Sequence, residues 1–179
     1  AFEDATIGEV FYIGVKSEDQ MSAEYGIIGL SSDEPFGNLL PDGSYQMRGL
    51  PVPRMIPDGT PQSPGAALIF GVGIYPMTVG RTIVYNTFLH EEAGDLVGNL
   101  SHSARFAVLN NHSPMPASSN GVFSAAYDDT GYSIEPAAQL TDGPGSLVDF
   151  IGGRGEGVWQ YTMVDNALGH TGVVQELGI

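Results

Sequence analysis

At 179 residues the chain is long enough for one domain with a real core and too short for two large ones. Its net charge of −15, set against six Lys and Arg together, repels nucleic-acid phosphate and anionic lipid heads, and the lack of any cysteine excludes a disulfide framework and thiolate chemistry. With 42% hydrophobic residues it is no disordered tail, and 25 Gly with 12 Pro suit short strands joined by turns rather than helices. Gly or Pro interrupts the apolar runs before any is long enough to cross a bilayer. The opening at Ala1, followed by polar residues, is consistent with a mature protein whose signal peptide has been removed, and the location expected is secreted, cell-surface or periplasmic.

In chain order, Glu9 to Val15 and Tyr25 to Leu30 are predicted strands, rich in Ile, Val, Tyr and Phe. Lys16 to Glu24 between them is polar and reads as a loop or a single helical turn. Ser31 to Gly43 reads as an ordered loop, and Tyr45 to Arg48 as a short strand. Pro51, Pro53, Pro57, Pro61 and Pro64 keep residues 50–64 extended and out of the middle of any sheet, as a crossover or linker. Pro41-Asp42-Gly43 and Pro57-Asp58-Gly59 share one turn chemistry. Proline presets the first angle, Asp bonds back to the backbone and Gly takes the left-handed position.

From Ala66 onward strands and turns alternate. Ala66 to Ile74 and Arg81 to Leu89 are strand candidates. Asp95 to Leu100 and Phe106 to Leu109 make a hairpin around Ser101 to Arg105. Asn110 to Gly121 is a proline-bearing loop, and Gly157 to Val164 and Val173 to Ile179 are the closing strands. No helical periodicity persists over three turns. The fold class expected is all-β, a sandwich or jelly roll.

The second half carries an ordered set of short motifs. They are Gly94-Asp95-Leu96-Val97, Tyr127-Asp128-Asp129, Phe150-Ile151-Gly152, Gly157-Val158-Trp159, Val164-Asp165 and a final Gly172 before the last strand. In that order they resemble the P domain, the β-sandwich that follows the protease domain of kexin- and furin-like proprotein convertases. The resemblance covers residues 55–179, with residues 1–54 as an extension adding strands or an arm. Two departures stand out. The turn Ser101-His102-Ser103-Ala104-Arg105 lacks the family's Pro and Gly, and Leu177 stands where the family places a tryptophan. The resemblance implies a P-domain-like, jelly-roll-like sandwich without catalytic function, with Asp95 at a loop-to-strand corner accepting backbone N–H bonds.

Two chemistries are open for the acidic loops. Asp95, Asp128, Asp129, Asp165 and Glu92 are loop-placed oxygen donors of the kind Ca²⁺ takes, and some P domains bind calcium. Alternatively, Asp95 and Asp165 cap backbone amides at strand ends. No segment has EF-hand spacing. His90, His102, His112 and His170 lack the close spacing of zinc sites and read as solvated loop histidines. His90-Glu91-Glu92 is not the start of a His-Glu-x-x-His helix, because position 94 is Gly. There is no Gly-x-Ser-x-Gly element, and Gly152-Gly153-Arg154-Gly155 lacks the P-loop Lys-Ser/Thr. Trp159, the single tryptophan, is expected in the core rather than stacked on a sugar. Asn99-Leu100-Ser101 and Asn111-His112-Ser113 fit the N-glycosylation pattern.

These readings converge on a non-enzymatic, structural or accessory subunit of a larger assembly. Its partners are other protein subunits, the chain itself among them, and the assembly is a surface layer, filament, shell or membrane complex. The alternative is a Ca²⁺- or carbohydrate-binding module that accompanies a secreted protease.

Overall fold

The computed structural model describes residues 5–16, 24–27, 29–115 and 121–179. The chain divides into two units, residues 1–33 and Glu34–Ile179.

Among the described residues of the second unit ten strands follow one another: β1 (Gly37–Leu39), β2 (Tyr45–Met47), β3 (Arg54–Ile56), β4 (Gly65–Gly73), β5 (Val84–His90), β6 (Leu96–His102), β7 (Arg105–Asn111), β8 (Val122–Tyr127), β9 (Gly157–Asp165) and β10 (Gly172–Gly178). Short 3₁₀ turns precede β6 (Ala93–Asp95) and β9 (Leu147–Phe150). β1 and β2 form a hairpin. The other strands form two four-stranded antiparallel sheets, ordered β3-β10-β5-β8 and β4-β9-β6-β7. The pairing is nested: β6 pairs β7, β5 pairs β8, β4 pairs β9 and β3 pairs β10.

The two sheets pack as a β-sandwich around one core. Alternation makes this possible, since every second residue of each strand points inward. Val84, Phe88, Leu96, Leu100, Ile69, Tyr161, Met163 and Val174 are buried there. Leu147 and Phe150, on the turn before β9, close the core; the turn is held by a capping box between Ser146 and Asp149. Gly49 marks a close approach. A Cβ there would lie 2.6 Å from Leu177 Cβ, so only glycine lets the chain pass beside β10.

Residues of the expected extension supply β1, β2 and the first residue of β3. Met47 and Ile179 exchange backbone hydrogen bonds of 2.8 and 3.0 Å, and Gly49 donates to Leu177 at 2.8 Å. The proline-rich stretch, expected as a crossover or linker, does form a strand, β3, and it lies at a sheet edge, where the prolines do not interrupt a central ladder.

The segment Glu9–Val15 is a correction. Among the described residues it forms no strand, and neither do residues 24–27 and 29–30; part of the second predicted strand, at residue 28, lies outside the described residues. Strand-forming composition is not enough without a ladder partner. A turn at Thr6–Glu9 is closed by the Glu9 amide donating to the Thr6 carbonyl at 3.0 Å.

Charge is almost absent from the strands. Arg54, Arg105, Asp165 and Glu176 are the charged strand residues, and Asp165 is fully buried. The outward side of the β4-β9-β6-β7 sheet reads, in register across the strands, Ala66-Val164-Val97-Asn111, Leu68-Thr162-Asn99-Val108, Phe70-Gln160-Ser101-Phe106 and Val72-Val158. None of these side chains ionises.

Candidate functional site

Antiparallel register brings two of the predicted aspartates to one end of the sandwich. Leu96 pairs with Asp165, which puts Asp95 beside the end of β9. Asp165 is fully buried. Its Oδ2 lies 3.2 Å from His90 Nε2, and its Oδ1 accepts the Ala167 amide at 2.9 Å. His90 Nδ1 is 2.8 Å from the Glu92 carbonyl. Asp95 Oδ2 lies 2.8 Å from His170 Nδ1, and the rings of His90 and His170 are 6.4 Å apart. His112 Nδ1 lies 2.8 Å from the Gly94 carbonyl.

Asp165 thus caps a backbone amide as expected, while Asp95 takes a histidine ring in place of backbone N–H groups. The hydrogen bond from His170 to Asp95 raises the histidine's pKa above its ordinary value. Its partial desolvation opposes this, and the charges of Asp95, Glu91 and Glu92 add to the rise. His90 and His102 are not solvated loop histidines, being 1% and 6% exposed. Each ends a strand at an inward position that the linear spacing of histidines does not reveal.

Asp128 and Asp129 follow β8 elsewhere on the molecule, and they do different work. Asp128 Oδ2 accepts Arg81 Nε at 3.0 Å and also Arg81 Nη2, while its Oδ1 accepts the Thr130 amide at 2.9 Å and hydroxyl at 2.8 Å. The Arg81 guanidinium also lies 5.3 Å over the Tyr132 ring. Asp129 reaches across to the segment before β9. It accepts the Thr141 amide and hydroxyl at 2.8 Å each, the Ser146 hydroxyl at 2.5 Å and the Leu147 amide at 2.6 Å. Burial pushes both carboxyls up, but these donors outweigh it and hold both below the usual carboxylate range. Together the two aspartates fasten the long β8–β9 connection to the sandwich.

The four predicted metal ligands therefore fall into two groups. Among the described residues, no group of three or more His, Asp or Glu is placed to hold a metal ion. Glu92 serves locally by accepting the Gly94 amide at 3.2 Å.

Trp159 lies in the core, 2% exposed, between the His102 ring and Phe150, and its Nε1 donates to the Gly155 carbonyl at 2.9 Å. It offers no platform to a sugar. A shallow groove of ≈ 420 Å³ runs beside β10, lined by Gln46, Arg48, Tyr85, Asn86 and Glu176 among others, and Arg48 is ion-paired with Glu34.

Two surfaces remain as contact candidates. Residues 5–16 are all exposed, with Val10, Tyr12, Ile13 and Val15 at 68%, 93%, 70% and 53%. The uncharged face of the β4-β9-β6-β7 sheet is the second, and sequence reasoning missed it. Its signal was present in the alternate positions 66, 68, 70, 72 and 158, 160, 162, 164, but only the strand register joins the two sets into one surface. Among the described residues no helix is long and apolar enough to cross a membrane. Comparison with known proteins gives no match: no family model, no curated protein and no solved structure matches this chain.

Proposed function

We propose that the protein is a non-catalytic, secreted or surface-exposed interaction module, a structural or accessory subunit that joins a larger assembly through its N-terminal segment. One observation carries this reading. Glu9–Val15 is a run of strand-forming residues that is exposed and, among the described residues, belongs to no strand. The exposed Val10, Tyr12, Ile13 and Val15 side chains are of the kind that a neighbour's open sheet edge takes up, through a backbone ladder and pockets for alternate side chains. The P-domain resemblance and the nested strand pairing support a jelly-roll-like module as the body that presents this segment.

The test is deletion of residues 1–24, with far-UV circular dichroism confirming that the remainder folds. The assembly recovered with the full chain is expected to be lost. Assembly that survives the deletion overturns the reading. Val10→Asp combined with Ile13→Asp provides the same test in a full-length chain.

A further inference from the structure

A strand with one solvated face alternates, apolar side chains turning to the core and polar ones to water. Residues 10–15 do not alternate. As an extended strand they put Val10 and Tyr12 on one face and Phe11, Ile13 and Val15 on the other, with Gly14 between. Apolar side chains are exposed on both of these faces, Val10 and Tyr12 at 68% and 93%, Ile13 and Val15 at 70% and 53%. A short continuous apolar run is the pattern of a strand buried on both sides. Six residues are too few for a buried helix, and the β-branched and aromatic content favours a strand.

The run is also bounded at both ends. Before it, the turn at Thr6–Glu9 is fixed by the Glu9 carboxylate, which accepts the Thr6 amide at 3.0 Å and hydroxyl at 3.3 Å. After it the sequence becomes polar and charged, with Lys16, Ser17, Glu18 and Asp19. The apolar stretch between these ends is about 20 Å long when extended, the usual length of one strand.

We propose, resting on the reading of the N-terminal segment as the assembly element, that residues 10–15 insert as one strand between two layers of a different subunit, which covers both of their faces. The partner's chemistry follows from the segment's. Its open sheet edge lies in a cleft one strand long, with apolar side chains above and below, and Glu9 and Lys16 stay in water at the two mouths of the cleft. The sandwich of this chain is not that partner. Each of its sheets turns one face to the core and the other outward, where Leu68, Val158, Met55 and Leu89 are 41%, 52%, 59% and 36% exposed. A strand added at an edge of either sheet keeps one face in water, which suits an alternating sequence and not this one.

The chain has no native cysteine, so single thiols report on each face separately. Val10→Cys and Ile13→Cys, on opposite faces, are introduced into the full chain, and labelling by a maleimide is timed in the isolated chain and in the assembly recovered from the source. Both are expected to react quickly in the isolated chain and at least tenfold more slowly in the assembly. Protection of one position, with the other as fast as in the isolated chain, overturns burial on both faces and leaves the N-terminal reading standing as a contact with one solvated face. Labelling that is equally fast at both positions in the two states overturns that reading, and this proposal with it. Charge gives the same separation in a second experiment. Val10→Asp alone and Ile13→Asp alone are each expected to reduce assembly at least tenfold, and assembly that survives either one rejects burial of that face. Native mass spectrometry tests the identity of the partner, and an assembly made only of copies of this chain overturns the assignment to a different subunit.

Discussion

His102 lies flat against Trp159, with ring centroids 4.2 Å apart and planes 3° from parallel. Both ring nitrogens of His102 face carbonyls, Nδ1 at 2.8 Å from Val158 and Nε2 at 2.7 Å from Arg154. One side chain at the end of β6 therefore fixes the start of β9 and the turn before it. His102→Phe keeps the stack and loses the ring's polar contacts to both carbonyls. A neutral imidazole carries one N–H and so donates to one of these two carbonyls, and the expected cost is about 1 kcal/mol for that bond. Denaturant unfolding followed by the fluorescence of Trp159 measures this, and a variant as stable as the parent removes the clamp from the account.

Asp129 is the second fastening. Its carboxylate gathers donors from Thr141, Ser146 and Leu147, so Asp129→Asn replaces an acceptor with a group that is half donor. The expected cost near pH 7 is about 2–3 kcal/mol. The direction of its pH dependence is fixed by the lowered pKa. The carboxylate's contribution is fully present above the unfolded value of about 3.9 and is lost as pH falls through the lowered folded value. The gap between parent and variant should therefore narrow in strong acid. Unfolding curves at neutral pH and near pH 2 test it, and a constant gap contradicts it.

The His170–Asp95 pair has the opposite sign. A raised histidine pKa means that the pair contributes below the unfolded value of about 6.5 and fades as pH rises through the folded value. Nuclear magnetic resonance titration of the His170 ring should give a midpoint above that of a free histidine. Asp95→Asn should bring the midpoint back down. A midpoint that ignores Asp95→Asn would show that the pair does not form in solution.

Calcium makes a sharp comparison. Each carboxylate oxygen of Asp128 and Asp129 already accepts a protein donor, and the two residues serve different segments. The account predicts that Ca²⁺ at ~5 mM, well above the range of weak extracellular sites, leaves the melting temperature unchanged. A rise of several degrees that disappears in Asp128→Asn or Asp129→Asn would instead favour the Ca²⁺-binding module.

The strands that sequence made legible are those whose side chains alternate strongly. Residues 66–74 were predicted and β4 spans Gly65–Gly73; residues 157–164 were predicted and β9 spans Gly157–Asp165. β8 was missed because Ser124, Ala125 and Ala126 carry little strand signal, and it is held by pairing with β5. β1 was hidden in a turn-rich stretch and exists because β2 folds back on it. Glu9–Val15 failed in the opposite way, having strand composition and no ladder among the described residues. The site residues show the same limit. That Asp165 meets His90, and Asp95 meets His170, depends on contacts between residues 75 positions apart, the first pair bridging strands of the two opposite sheets, which local pattern does not encode.

The most direct test of the central claim is native mass spectrometry of the protein taken from its source. The account predicts a species of more than one chain, dissociated by Val10→Asp/Ile13→Asp while each chain remains folded. A folded monomer at every concentration, with no partner bound, would contradict it.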